Sequence, residues 1–386
     1  MKALVLSGGG ARGAYQVGVL KAVGELVRDN GLSNPFEIFC GVSAGAINAA
    51  YLAATCEDLS KGTEALTDLW TSLSSDQVFK TDMLSLGKTG LQWMGELSFG
   101  GATSGSPGKS LLDTAPLLHL LKKNLNFAGI QKNLDAEKFH ALAITALEYQ
   151  TSETITFVQG KADLPTWRKP RRHSERAEIQ AAHIMASSAI PLLFPPAAVE
   201  QRFFGDGCVR NLSPLSPALY LGASELLVIG VRMQNELTPP HNPLLSAKAP
   251  SVARVGNVIL NSVLLDGIEV DVDRLLRINE FIRRVPENLR ANLNFRPVDS
   301  LFITPSEDIG KIASEMASRL PRLIRYLLKG LGPLNEASEI VSYLLFERDF
   351  TLKLIEMGYL DGMKQKKQLL KFLLESRPSS LDGEGF

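Results

Sequence analysis

The tightest constraint in this 386-residue chain is the pentapeptide Gly41-Val42-Ser43-Ala44-Gly45, set between the apolar run Phe36 to Cys40 and the small-residue stretch Ala44 to Ala54. The first reads as a buried strand and the second as a helix. Gly-x-Ser-x-Gly between a strand and a helix is the pattern of a nucleophile elbow. The reason is steric: a serine on so sharp a turn needs neighbours with almost no side chain. Gly41 and Gly45 admit the backbone, and Ser43 projects its hydroxyl at the top of a sheet. The helix that follows directs its N-terminus at the serine and favours negative charge developing there. Ser43 is therefore the candidate nucleophile.

The rest of the first half repeats the alternation. Ala3 to Leu6, His140 to Ala146, Glu153 to Val158, Gln201 to Phe204 and Leu226 to Arg232 read as strands. Ala14 to Val27 and Ile179 to Ser188 carry helical patterns. Strands alternating with helices predict an α/β fold of three layers, α/β/α, around a mostly parallel central sheet. Such sheets keep their sites at the carboxyl ends of the strands. Residues 1–235 are expected to form this core. Residues 236–375 read as a mostly helical extension, with helices over Ile312 to Leu331 and Val341 to Leu374 and one strand, Leu301 to Thr304, rejoining the core sheet. Residues 376–386 read as a disordered tail. Between Leu84 and Gly108 glycines and serines mix with Leu91, Trp93, Met94 and Phe99, the composition of a surface loop or of a lid whose apolar residues face substrate.

Composition removes several classes. Lys+Arg and Asp+Glu number 41 each, which gives no support for a nucleic-acid partner. Cys40, Cys56 and Cys208 form no disulfide framework and show no metal-ligand spacing, so no metal and no cofactor are expected. The N-terminal apolar run is too short for a signal peptide, and no stretch approaches the ~18 to 20 apolar residues that span a bilayer. The expectation is a cytoplasmic protein with at most peripheral membrane contact. Its oligomeric state is not written in the sequence.

The second motif is Ser7-Gly8-Gly9-Gly10-Ala11-Arg12-Gly13, straight after the first strand and opening a helix. Successive glycines expose backbone N–H groups as a nest that holds an anion. The anion is either a phosphate or the oxyanion of a tetrahedral intermediate. A phosphate loop lacks its Gly-Lys-Ser/Thr ending here. The oxyanion reading explains why an elbow is present in the same chain, with Gly8, Gly9, Gly10 and Gly13 shaping the loop and Arg12 orienting it or adding positive charge.

A serine hydroxyl needs a base. His119 lies within a helical stretch, His140 begins a strand, His173 sits among arginines, His183 is on a helix and His241 is in a proline-rich segment. None occupies the post-strand loop in which a Ser-His-Asp hydrolase carries its histidine. Asp206 in Phe203-Phe204-Gly205-Asp206-Gly207 is the better base. The glycines permit a tight turn at a strand end, and burial would lift the carboxylate from its usual ~4.

Together these residues resemble the patatin-like phospholipase family. Its ordered pattern is matched by Gly8 to Gly13, by Gly41 to Gly45, by Ala186 to Pro196 and by Asp206-Gly207-Cys208, over roughly Lys2 to Met233. The resemblance implies a Ser43–Asp206 catalytic dyad, a Gly8 to Arg12 oxyanion loop, an acyl-enzyme intermediate and a phospholipid or other fatty-acyl ester as substrate. It implies a phospholipase A or lysophospholipase. The alternatives are an acyltransferase, thioesterase or polyester depolymerase using the same dyad, or a lipid-binding protein with a spent site. Cys208 departs from the Gly or Ala usual at its position; it is small enough to fit and crowds the dyad. Two segments are candidates for membrane contact: Arg319 to Leu331, with Arg322, Arg325 and Lys329 among leucines, and the basic cluster Arg168, Lys169, Arg171, Arg172 and Arg176. Each has an ordinary alternative, a core-packed helix and a solvated loop.

Overall fold

Strands whose residues are apolar on both faces have no water-facing side, and they make the middle of one sheet. The computed structural model describes residues 1–80, 110–234, 249, 251–290, 293, 295–334 and 336–375. Its strands are β1 (Lys2–Leu6), β2 (Ile38–Val42), β3 (Ala141–Glu148), β4 (Thr154–Gly160), β5 (Arg168–Lys169), β6 (Arg172–Arg176), β7 (Ala197–Val199), β8 (Arg202–Asp206), β9 (Glu225–Ile229) and β10 (Asp299–Ile303). They run in the order β10-β9-β1-β2-β3-β4-β6-β5, with the β7–β8 hairpin attached to β3. The pairs from β10 through to β3 are parallel, as is β4 with β6. The pairs β3–β4, β3–β8, β5–β6 and β7–β8 are antiparallel.

Alternate residues of β1 feed two separate cores. Leu4 and Leu6 join the larger one, with helices α1 (Gly13–Asp29), α2 (Ala44–Thr55) and α3 (Leu59–Thr71). Ala3 and Val5 join a smaller one on the other face, with α8 (Asp266–Arg284), which follows α7 (Val252–Leu264). The result is three layers, α/β/α, around a mostly parallel sheet. Between α3 and α7 lie α4 (Ala115–Asn124), α5 (Phe127–Asp135) and α6 (Ala181–Ser187).

Beyond residue 235 the chain returns to this core. β10 extends the sheet beside β9. It is followed by α9 (Ile309–Glu315), α10 (Arg322–Leu331), α11 (Ser338–Leu344), α12 (Arg348–Lys364) and α13 (Lys366–Leu374). Two glycines let α12 lie directly on α1: a Cβ on Gly18 would stand 2.0 Å from the carbonyl of Ile355, and one on Gly358 2.1 Å from that of Tyr15.

Several expectations change. The long helix expected over Ile312 to Leu331 is two, because Pro321 stands immediately before α10 and offers no N–H to continue a helix. Val341 to Leu374 is not continuous either; it divides among α11, α12 and α13. The apolar stripe of α10 faces inward, with Ile324 and Leu328 buried. The basic cluster forms the short β5–β6 ribbon at the edge of the sheet, where Arg176 is anchored on the Leu164 carbonyl at 2.7 Å and Arg172 on Ser216 at 3.3 Å. The segment 84–108, His241 and the tail 376–386 lie outside the described residues. No helix among the described residues is long and apolar enough to cross a membrane.

Candidate active site

Two strand ends meet on one edge of β3. Along that edge β2 pairs as far as Val42 opposite Thr145, and β8 arrives from the opposite direction with Asp206 opposite Ala146. Ser43 follows Val42 directly, so the register alone brings Ser43 and Asp206 together. Asp206 stands at a strand end, as the sequence leads one to expect, but β8 is antiparallel to β3 and meets β2 head-on.

Ser43 takes φ 55°, ψ −126°, a backbone region that is strained for a non-glycine residue. Its surroundings hold it there. The Ser43 N–H donates to Ser187 Oγ at 2.9 Å, and that hydroxyl donates to the Thr145 carbonyl at 2.6 Å. The Ser43 carbonyl accepts from Ala46 and Ile47 in the first turn of α2. Glycines clear the space: a Cβ on Gly41 would stand 2.3 Å from the Gly45 carbonyl oxygen, and one on Gly45 2.4 Å from that of Leu6. Ser187 lies in a segment the sequence singled out, but nothing in its local pattern marks it as the tether of the elbow.

Ser43 and Asp206 are both buried, and the Ser43 hydroxyl is among the groups that act on the Asp206 carboxylate. Asp206 also accepts the Cys208 N–H at 2.8 Å, while its own N–H donates to the Ala189 carbonyl at 2.8 Å. Burial raises Asp206 to about 6; Ser43 and Cys208 oppose that rise without cancelling it. Among the described residues no histidine hydrogen-bonds either group. His183 accepts the Gln180 N–H at 3.0 Å and packs edge-on against Phe157. His173 lies between Glu153 and Glu175.

The glycine-rich loop closes the site from the β1 side. Gly8 faces Ser43 and Cys208: a Cβ there would stand 2.8 Å from Ser43 Cβ and 2.3 Å from Cys208 Sγ. The Cys208 sulfur packs against Gly8 on one side and acts electrostatically on Asp206 on the other. It thus fills the gap between loop and carboxylate rather than merely fitting beside them. Gly10 touches the Tyr343 carbonyl, and Gly13 lies against Trp70 and Ala44.

Arg12 points away from Ser43. Its side chain is buried, with Nε donating to Ser342 Oγ at 2.7 Å, Nη1 to the Val231 carbonyl at 3.4 Å and Nη2 to Glu339. Tyr343 lies 5.3 Å beneath the guanidinium. Of the two roles expected for Arg12, these contacts serve orientation of the loop. A second buried chain does the same from within the core: Trp70 Nε1 donates to Asn48 Oδ1 at 2.8 Å, Asn48 to Gln16 Oε1 at 3.0 Å, and Gln16 to the Ser7 carbonyl at 2.7 Å. These residues are scattered through the sequence, which is why no motif announced them.

Beside Ser43 opens a cavity walled by Ile47, Trp70, Leu117, Ile190, Phe194 and Phe346. Ser188 also lines it, and its buried hydroxyl has no hydrogen-bond partner in the protein, a bond that a bound molecule can complete. No cluster of three potential metal ligands is found among the described residues.

A family model described as Patatin-like phospholipase matches residues 4–219. Comparison with curated proteins returned no match. Among solved structures, VipD from Legionella pneumophila is similar at 12% identity, covering 96% of this chain and 66% of its own, with a TM-score of 0.33. Human GIVD cytosolic phospholipase A2 in complex with methyl gamma-linolenyl fluorophosphonate is similar at 13% identity, covering 97% and 58%, with a TM-score of 0.45. This chain spans less than two thirds of the length of either.

Proposed function

The chain belongs to the patatin-like phospholipase family, and on that premise we propose that it hydrolyses acyl esters of lipids, with phospholipids or lysophospholipids as substrate, through a Ser43–Asp206 dyad. The observation that carries the reading is the strand register that brings the buried Ser43 and Asp206 together, beside an apolar cavity.

The chemistry follows from those positions. Asp206 takes the hydroxyl proton as Ser43 Oγ attacks the ester carbonyl. Its raised proton affinity makes it a better base than a carboxylate in water. Charge on the tetrahedral oxygen is met by the backbone N–H groups of Gly8, Gly9 and Gly10 and by the N-terminus of α2. Gly13 and Arg12 hold that loop in shape. Collapse returns the proton from Asp206 to the departing alcohol and leaves the acyl group on Ser43. Asp206 then deprotonates a water molecule, which attacks the acyl-enzyme. Fatty acid leaves, and the proton passes back to Ser43. No cofactor enters this sequence. Substrate reaches the site from a lipid surface by peripheral contact.

The test is covalent. A fluorophosphonate probe labels the protein and fails on Ser43→Ala, while Asp206→Asn loses both labelling and release of fatty acid from phosphatidylcholine and lysophosphatidylcholine. A Ser43→Ala protein that still labels or still hydrolyses would falsify the assignment.

A further inference from the structure

Helix α7 carries its apolar residues on the outside. Asn257 and Leu264 are among its buried positions, and Asn257 accepts the backbone N–H of Glu339 at 2.8 Å. Val252, Val255, Val258 and Ile259 face outward, 68%, 46%, 54% and 56% exposed. Steps of three and four put them on a single stripe. Single exposed aliphatics are ordinary on a protein surface, but a contiguous stripe of them marks a contact face.

The position of α7 says what that face meets. The helix packs against the turn Gly207–Arg210 that follows Asp206, and against α11, which holds Arg12 and the glycine-rich loop. Leu212, just past that turn and 75% exposed, continues the apolar border. The stripe therefore flanks the elements that form the Ser43 site. Cations lie on α7 and on α10, while Glu336 is hydrogen-bonded to Ser251 at the start of α7 and the adjoining α8 carries acidic as well as basic residues. The one charged residue of α7 is Arg254, and the neighbouring α10 carries Arg322, Arg325 and Lys329, with no acidic residue on either helix. Aliphatic side chains with Arg254, Arg322, Arg325 and Lys329 beside them complement acyl chains beneath anionic headgroups.

We propose that the outer face of α7 is the surface by which this protein docks on an anionic lipid bilayer, with Val252, Val255, Val258 and Ile259 entering the headgroup boundary. The proposal deepens the reading of the site as a lipid acyl-ester hydrolase and rests on it for the choice of partner. The full chain is mixed with vesicles of phosphatidylcholine, with and without phosphatidylserine, and sedimented. Wild type partitions to the vesicles, more strongly with phosphatidylserine. Val255→Asp combined with Ile259→Asp lowers the partition by about tenfold or more, and it leaves hydrolysis of a water-soluble short-chain ester unchanged. Arg254→Gln with Lys329→Gln removes the preference for phosphatidylserine. Both sites are exposed, and an unchanged melting temperature shows that the variants fold.

Vesicle binding that survives the double aspartate variant overturns the proposal. So does an effect of that variant on dimerisation with no effect on vesicles. A wild type that binds vesicles through α7 yet cleaves no ester keeps the docking face and removes the hydrolase reading; one that cleaves esters but never binds vesicles does the reverse.

Discussion

Arg12 and Glu339 form a largely buried ion pair across 327 residues of sequence, joining the glycine-rich loop to α11. Ser342 and the face of Tyr343 complete the socket around the guanidinium. A loop rich in glycine has little shape of its own, since each glycine enlarges the freedom that folding must remove. Its geometry is therefore imposed from outside, and a helix near the C-terminus supplies part of that constraint.

Glu339→Gln tests this directly. It leaves Arg12 charged and buried without its anionic partner, which costs about 2–3 kcal/mol of stability for a pair this little exposed. The loop loosens with it, and kcat for a soluble ester falls about tenfold or more while KM changes little. Unchanged kcat in a destabilised but folded protein would show that the loop does not depend on this pair.

The protonation of Asp206 sets two pH dependences of opposite sense. In the proposed mechanism the carboxylate form of Asp206 is the base, so the rate is expected to fall about tenfold per unit as pH drops below about 6. Stability runs the other way. Burial raises the folded-state value above that of the unfolded chain, near ~4, so the stabilising contribution of the protonated form is complete below ~4 and is lost as pH rises through about 6. Asp206→Asn is therefore inactive yet melts higher than wild type at pH 8, by up to about 3 kcal/mol, with the difference closing toward pH 4. A lower melting temperature for Asp206→Asn at pH 8 contradicts this account.

Cys208 holds Asp206 down. Its backbone N–H hydrogen-bonds the carboxylate at 2.8 Å, and backbone and side chain both oppose the upward push of burial. In Cys208→Ala the backbone bond stays and the side chain's contribution goes. The acid limb of the pH–rate profile then moves to higher pH, with the plateau rate within about threefold of wild type, as expected for loss of one weak interaction. A limb displaced downward would mean that the sulfur plays no such part.

The elbow tolerates no methyl group at Gly45. A Cβ there would lie 2.4 Å from the Leu6 carbonyl oxygen and 2.5 Å from that of Ser7, backbone atoms at the end of β1 that cannot yield. Gly45→Ala should lose more than about 3 kcal/mol or fail to fold, measured by chemical denaturation. Ser187→Ala is milder: it orphans the buried Ser43 N–H and Thr145 carbonyl at about 1–3 kcal/mol, and it lowers kcat by releasing the elbow.

How much of this was legible beforehand differs residue by residue. Val42, Ser43 and Ala44 could be read because an elbow is a local object: five consecutive residues state its steric demand, and the flanking apolar runs state its context. The same holds for β1 and for the three glycines after it. Breaks in the C-terminal helices were harder, because only Pro321 advertises one of them in the local sequence. The outward valines of α7 were not legible as a surface at all, since a helical apolar stripe reads the same whether it faces core or solvent.

The sequence by itself determined the elbow, the glycine nest and the strand-helix alternation, since each is a contest between backbone sterics and side-chain size within a few residues. The tertiary structure decided what those pieces face. Asp206 meets Ser43 because β2 and β8 end opposite neighbouring residues of β3, a matter of register between segments some 160 residues apart. Arg12 turns from the site to Glu339, and Ser187 reaches back to the Ser43 N–H, because buried polar groups must find partners wherever the packed chain places them. Such partners are chosen by proximity in space, which adjacency in sequence does not encode.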